Sequence, residues 1–300
     1  MRQAWILGVV FATAATASGC RESSQASAAE VQATAKARER QLERRIAKAD
    51  SSGKMEPVAM WMMPPELQEI SGIALTADGR LLAHGDELSR VYVLNPRTGL
   101  VLKKFTVGSG FAGDFEGITV AGSDIYMIAS NGNLYQFREG ANNASVHYST
   151  IDTHLGKECE FEGVAYEPDS AWLLLPCKRT SKKLPSGNLV IYRWRLQGPD
   201  SARLTMLTIP HAEAIGSNDW KGLHPSDITV DPTTGNYVLI SSQEKALLEI
   251  TPGGVVERSQ ELPGKHPQPE GVAITKDNIL IVSDEASKRP ASITLYRLRL

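Results

Sequence analysis

The stretch that decides the fold is Asp114-Phe-Glu-Gly-Ile-Thr-Val120, because the chain repeats it. Glu69-Ile-Ser-Gly-Ile-Ala-Leu75 precedes it. Glu160-Phe-Glu-Gly-Val-Ala-Tyr166, His224-Pro-Ser-Asp-Ile-Thr-Val230 and Gln268-Pro-Glu-Gly-Val-Ala-Ile274 follow. The steps between Gly72, Gly117, Gly163, Asp227 and Gly271 are 45, 46, 64 and 44 residues. A recurrence of this period marks a repeat architecture. Each copy opens the same sequel. In the first, Thr76-Ala77-Asp78-Gly79 is a turn, 80–84 a second strand and 90–94 a third. Asn95-Pro96-Arg97-Thr98-Gly99 turns the chain into a fourth strand over 100–107. Four short strands in about 45 residues make one propeller blade.

Five such units fit between residues 55 and 300, which predicts an all-β, five-bladed propeller of four-stranded blades. Six blades is the alternative, if the 64-residue step conceals a degenerate one. The last copy carries only three strands of its own. The apolar segment 57–62 is free to supply the fourth, closing the ring with the two ends of the chain.

The first 54 residues read differently. Met1-Arg2 is followed by an uncharged stretch from Ala4 to Ala17. It is shorter than the ~20 residues a membrane helix needs, and it has the length of a signal-peptide core. Ala17-Ser18-Gly19-Cys20 resembles a bacterial lipobox, with alanine where leucine is usual three residues before the cysteine. The expectation is a signal peptide over 1–19 and a lipid on Cys20, which anchors the chain in the cell envelope facing the periplasm. Arg21 in place of aspartate points to the outer rather than the inner membrane. Residues 20–54 hold no aromatic residue and few large apolar ones. They predict a partly helical or disordered spacer that buries little and holds the propeller off the membrane.

The repeats Glu-Ile-Ser-Gly-Ile, Asp-Phe-Glu-Gly-Ile, Glu-Phe-Glu-Gly-Val and Pro-Glu-Gly-Val resemble those of the SdiA-regulated family of bacterial envelope propellers. The resemblance spans roughly residues 56–300 and departs at His224-Pro-Ser-Asp. It implies a propeller outside the cytoplasm with calcium as a candidate ion, and it brings no established reaction.

In a propeller the first strand of each blade lines the channel, and its start lies at one mouth. Strand starts place Glu69, Asp114, Glu116, Glu160, Glu162, Asp227 and Glu270 there. Strand-two ends add Asp86, Glu87, Glu244, Asp284 and Glu285. The net charge is only −2, so this clustering is local, and no bulk charge favours nucleic acid as a partner. Alternation along a strand puts Asp114 with Glu116 and Glu160 with Glu162. Crowded carboxylates call either for a raised pKa or for a hard cation with oxygen ligands, which is the reading favoured. Ca²⁺ is therefore expected on Glu116, Glu162, Glu270 and Asp227, with Glu69, Asp114, Glu160, His224, Asp284 and Glu285 as ligand-binding neighbours. The competing reading pairs each carboxylate with a base such as Lys157, Lys178, Arg179 or Lys245. Two long loops, 178–188 and 210–224, open on the same face.

Cys159 and Cys177 flank a hairpin that turns at 167–170. Cross-strand partners there share an index sum near 337, and the two cysteines fall within one residue of it. Export into an oxidising compartment makes a disulfide the expected outcome. Two functions fit these features. One is a monomeric, membrane-anchored binding or sensing module for a small-molecule or protein ligand. The other is a Ca²⁺-dependent hydrolase of lactones, esters or phytate, with His224 or His266 as base. A propeller alone does not choose between them.

Overall fold

A computed structural model describes residues 27–52, 55–184, 186–197 and 203–298. The expected signal peptide and Cys20 lie outside the described residues. Among the described residues the strands form five sheets arranged as blades, with no sixth in the 64-residue step. Blade 1 is Ile70–Leu75, Leu81–Gly85, Arg90–Asn95 and Leu100–Val107. Blade 2 is Phe115–Ala121, Asp124–Ala129, Asn133–Phe137 and Tyr148–Asp152. Blade 3 has an inner strand in two pieces, Cys159–Phe161 and Ala165–Glu167, followed by Trp172–Thr180, Asn188–Arg195 and Leu204–Pro210. Blade 4 is Asp227–Val230, Tyr237–Ser241, Ala246–Ile250 and Val256–Glu261. Blade 5 takes Pro269–Ile274, Ile279–Asp284 and Ser292–Arg297 from the end of the chain.

Its outermost strand is Pro57–Met62 from the other end, antiparallel to Ser292–Arg297 with Ala59 opposite Leu295 and Trp61 opposite Ile293. The ring is closed as the three-stranded last repeat predicts. The extra length before blade 4 is a capping segment. The short helix His211–Ile215 lies there, with Ala214 fully buried and Ser259 Oγ donating to the Ala214 carbonyl.

Apolar alternation on both faces of each sheet builds one core per blade junction. Blades 1 and 2 share Leu82, Phe105, Phe115 and Ile118. Blades 2 and 3 share Ile128, Leu134, Phe161 and Leu175. Toward the axis the inner strands come too close for side chains. A Cβ on Gly117 would stand 2.6 Å from the Gly163 Cα, and one on Gly72 2.9 Å from the Gly117 Cα. The glycine that recurs in the repeat is there because neighbouring strand backbones meet at it.

The expected spacer is helical over Ala28–Ser52, but it does not stand off the propeller. Leu42 and Ala49 are buried, and with Ile46 they join the core between blades 5 and 1. These positions form an i, i+4, i+7 stripe, too narrow to read as amphipathic by composition. Polar contacts flank it. Arg38 donates to the Thr98 carbonyl at 2.6 Å and lies over the Trp61 ring. Asp50 pairs with Arg297 at 2.7 Å and Glu39 with Arg97 at 3.1 Å. Among the described residues no helix is long and apolar enough to cross a membrane.

Candidate functional site

The channel has two unlike ends. Where the inner strands finish, their first turns enclose a cavity of about 820 Å³ lined by Leu75, Val120, Tyr166, Val230, Ile274 and helix residue Leu42. Where the strands begin, the carboxylates gather.

A local irregularity aims them. In blades 1, 2 and 5 the pairing of strands one and two slips between residues 70 and 72, 115 and 117, and 269 and 271. The extra residue is the one before the glycine: Ser71, Glu116 or Glu270. A bulge re-aims its residue out of the ladder. In blade 3 the same position, Glu162, falls in the break of the inner strand. One repeat position thus sends Glu116, Glu162 and Glu270 toward the channel from three blades. Ser71 Oγ donates to Glu116 Oε2 at 3.5 Å.

These three are the expected calcium ligands, and as placed they do not fit the ion. Among the described residues no three Asp, Glu, His or Cys side chains come together closely enough to share a metal. A lysine stands there instead. Lys178, at the end of strand two of blade 3, donates to Glu162 Oε1 at 2.7 Å. Burial pulls its pKa down, but the hydrogen bond to Glu162 and the charges of Glu162, Glu270 and Glu116 outweigh that and raise it. One ammonium does not neutralise three carboxylates. Burial, with Glu162 and Asp114 nearby, pushes Glu116 up to about 9. Burial, with Glu162 nearby, pushes Glu270 up to about 7. Glu162 is raised by burial against the opposing pull of Lys178. At neutral pH Glu116 keeps its proton and shares it with Asp114.

Asp227, the fourth expected ligand, is placed differently. It stands at the glycine position rather than one before it, is 1% exposed, and accepts a hydrogen bond from the Val272 N–H at 2.8 Å. Its carboxylate ties blade 4 to blade 5 at the point where Gly163 makes room for it. Burial raises its pKa well above the ordinary value.

The neighbours divide into paired and unpaired groups. Glu160 receives both Arg179 hydrogen bonds at 2.8 and 3.0 Å, and Asp114 accepts from Ser130. Asp284 is buried, accepting from His266 Nδ1 at 2.6 Å, while His266 Nε2 meets the Tyr296 hydroxyl at 2.8 Å. Both imidazole nitrogens of His266 are thus engaged inside the protein, and His266 is withdrawn as a candidate base. His224 is partly exposed, with Nδ1 on Glu244 Oε1 at 2.7 Å. Glu69 of blade 1 and Glu285 of blade 5 lie within reach of the charge of Asp86, and Glu69 also of that of Glu87. Glu69 is raised by Glu87, Asp86 and burial, and Glu285 by burial, Asp86 and Glu69. Gln268 Nε2 donates to Glu285 and pulls the other way.

Cys159 and Cys177 are bonded, with Cα atoms 5.4 Å apart. The ladder register runs Ala165 to Leu174 and Cys159 to Thr180, two residues from the expected one. A slip after Glu160 brings Phe161 opposite Cys177, so the bridge is diagonal. Sequence reasoning found the carboxylates by their period. It counted Lys178 only among four bases, because nothing in the spacing shows which one turns inward.

A family model described as SdiA-regulated matches residues 63–290. A comparison with the curated proteins gives no match. Among solved structures the chain is similar to the PQQ-bound aldose sugar dehydrogenase from Streptomyces coelicolor, at 15% identity and a TM-score of 0.52 over 80% of this chain and 98% of that one. It is also similar to the Myxococcus xanthus glutaminyl cyclase, at 12% identity and a TM-score of 0.54 over 80% and 94%. These likenesses are of fold alone.

Proposed function

This chain belongs to the SdiA-regulated family, and on that premise we propose that it is a binding or sensing module of the bacterial envelope. It is held to the membrane through Cys20, and its channel mouth receives a positively charged ligand. The observation that carries the ligand class is the rim formed by Glu69, Asp86, Glu87 and Glu285. Glu69 is raised by the charges of Glu87 and Asp86, and Glu285 by burial and the charges of Asp86 and Glu69, against a hydrogen bond from Gln268. A cationic group placed there removes that repulsion, and the surrounding field steers cations toward it. Export supports the anchor: an oxidising compartment is where a bond such as Cys159–Cys177 persists.

Isothermal titration of the full chain with spermidine, against sucrose and citrate, tests this reading. Spermidine binding is expected to weaken about tenfold or more in Glu69→Gln/Glu285→Gln, the loss of about 1.4 kcal/mol. It is also expected to fall as salt rises. Binding that ignores both, or a preference for citrate, refutes the cationic class.

The hydrolase alternative keeps one specific observation, the His224–Glu244 pair, in which a carboxylate orients an imidazole at the mouth. Screening lactone, aryl ester and phytate substrates, with Ca²⁺ and with EDTA, decides it. The binding reading expects no turnover. Turnover that His224→Asn abolishes establishes the hydrolase.

A further inference from the structure

Beneath the acidic rim, the floor of the mouth carries its own cation. We propose that Lys178 is a tethered replacement for a divalent metal: its ammonium binds Glu162 and offsets the charges of Glu116 and Glu270, so this propeller holds the floor of its channel mouth together without calcium. The inference shares the mouth with the binding reading but concerns the floor, not the rim.

The argument starts from position. Glu116, Glu162 and Glu270 occupy one place in the repeat, each directly before a glycine that lets the inner strands touch. Three blades therefore deliver carboxylates to one region whatever neutralises them. Partly buried carboxylates are costly to take out of water unless a positive charge joins them. A calcium ion would need six to eight oxygens at its own distances. No such grouping exists among the described residues.

What the floor holds is a compact point charge with three rotatable donors, the side-chain head best suited to stand in for a small cation. Its place is fixed from two sides. Lys178 Nζ lies 2.7 Å from Glu162 Oε1, and both side chains are largely withdrawn from solvent. The residue before it, Cys177, is covalently joined to Cys159, two residues before Phe161 and the strand break that releases Glu162. The disulfide thus fastens the strand bearing the ammonium to the strand bearing its partner. A surface lysine needs no such arrangement. Arg179, next in sequence, points the other way and serves Glu160 on the outside.

The charge count agrees. One ammonium pairs directly with one carboxylate, Glu162, and its charge also acts on Glu116 and Glu270. A divalent ion entering this floor would have to expel a lysine that cannot diffuse away.

Melting temperature and calcium titration of the full chain test the proposal. Wild type is expected to melt at the same temperature in millimolar CaCl₂ and in EDTA. Lys178→Met is expected to melt several degrees lower in EDTA and to recover part of the loss with Ca²⁺. Lys178→Met/Glu162→Gln is expected to lose that recovery. Lys178→Met that folds only with Ca²⁺ also supports the proposal. If Lys178→Met does not fold under any condition, wild-type titration decides: calcium binding that Glu116→Gln/Glu162→Gln abolishes overturns the proposal, and no heat of binding upholds it. A Lys178→Met protein as stable as wild type and indifferent to Ca²⁺ also overturns it. Spermidine binding at the rim is read separately, so either proposal can fail without the other.

Discussion

Glu116 and Gly117 are neighbours with opposite demands. The glycine has no room for a single carbon, because its Cβ would enter the backbone of blade 3. The glutamate is carried out of the ladder by the bulge at that point and meets Asp114, Ser71 and the charge of Glu162. Its pKa of about 9, against an ordinary 4.5, has a consequence for stability. Between those values the folded protein holds a proton that the unfolded chain releases. Stability from this group is complete below about pH 4.5 and is lost as pH rises through about 9. Glu116→Gln keeps a neutral donor for Asp114 and removes the titration. The variant is expected to match wild type at roughly pH 5 and to melt higher at roughly pH 9. A difference of about 2 kcal/mol would raise the melting temperature by roughly 4–8 °C. Parallel calorimetric curves across that range would remove Glu116 as the cause.

At the scale of elements, legibility followed period. The recurring Glu-Gly-Ile pattern set the blade count, and a three-stranded last repeat required an early strand to complete it. The cysteine hairpin announced its bond although its register is displaced. Three features escaped, each for a physical reason. Asp227 aligns with glycines and reads as a lapsed repeat, yet its carboxylate binds the Val272 N–H of the next blade. That partner is 45 residues away in sequence, and no local pattern marks it. Lys178 looked like one base among several, since the choice of which base enters the mouth is made by packing and by the Cys159–Cys177 bond. The helix Ala28–Ser52 looked like a spacer because its composition is polar. Its docking rests on Leu42, Ile46 and Ala49 with arginine contacts on both sides. Three apolar positions are enough once a preformed junction between blades 5 and 1 receives them.

For the whole molecule the two ends of the chain carry the architecture. The helix lies at the channel end opposite the carboxylates, so the tether proposed at Cys20 would leave the mouth pointing away from the membrane. The strand after it, Pro57–Met62, joins blade 5 from the far end of the sequence and covers the edge of Ser292–Arg297. Pairing the two ends in this way covers the edge of the last strand of the chain, and an exposed edge pairs with other chains. Two truncations separate the helix from the strand. A chain starting at residue 55 loses Leu42 and Ala49 from the junction but keeps the closure. It is expected to fold to the same sheet content with a cooperative transition, less stable by the roughly 2–5 kcal/mol of a lost core leucine contact. A chain starting at residue 64 also loses the ladder between Ala59–Met62 and Ser292–Leu295 and leaves that edge open. It is expected to aggregate or to melt without a single cooperative transition. Circular dichroism with analytical ultracentrifugation distinguishes the two. Equal behaviour of both truncations would mean that the seam is held by the core of blades 5 and 1 alone, and that the pairing of the chain ends does not close the ring.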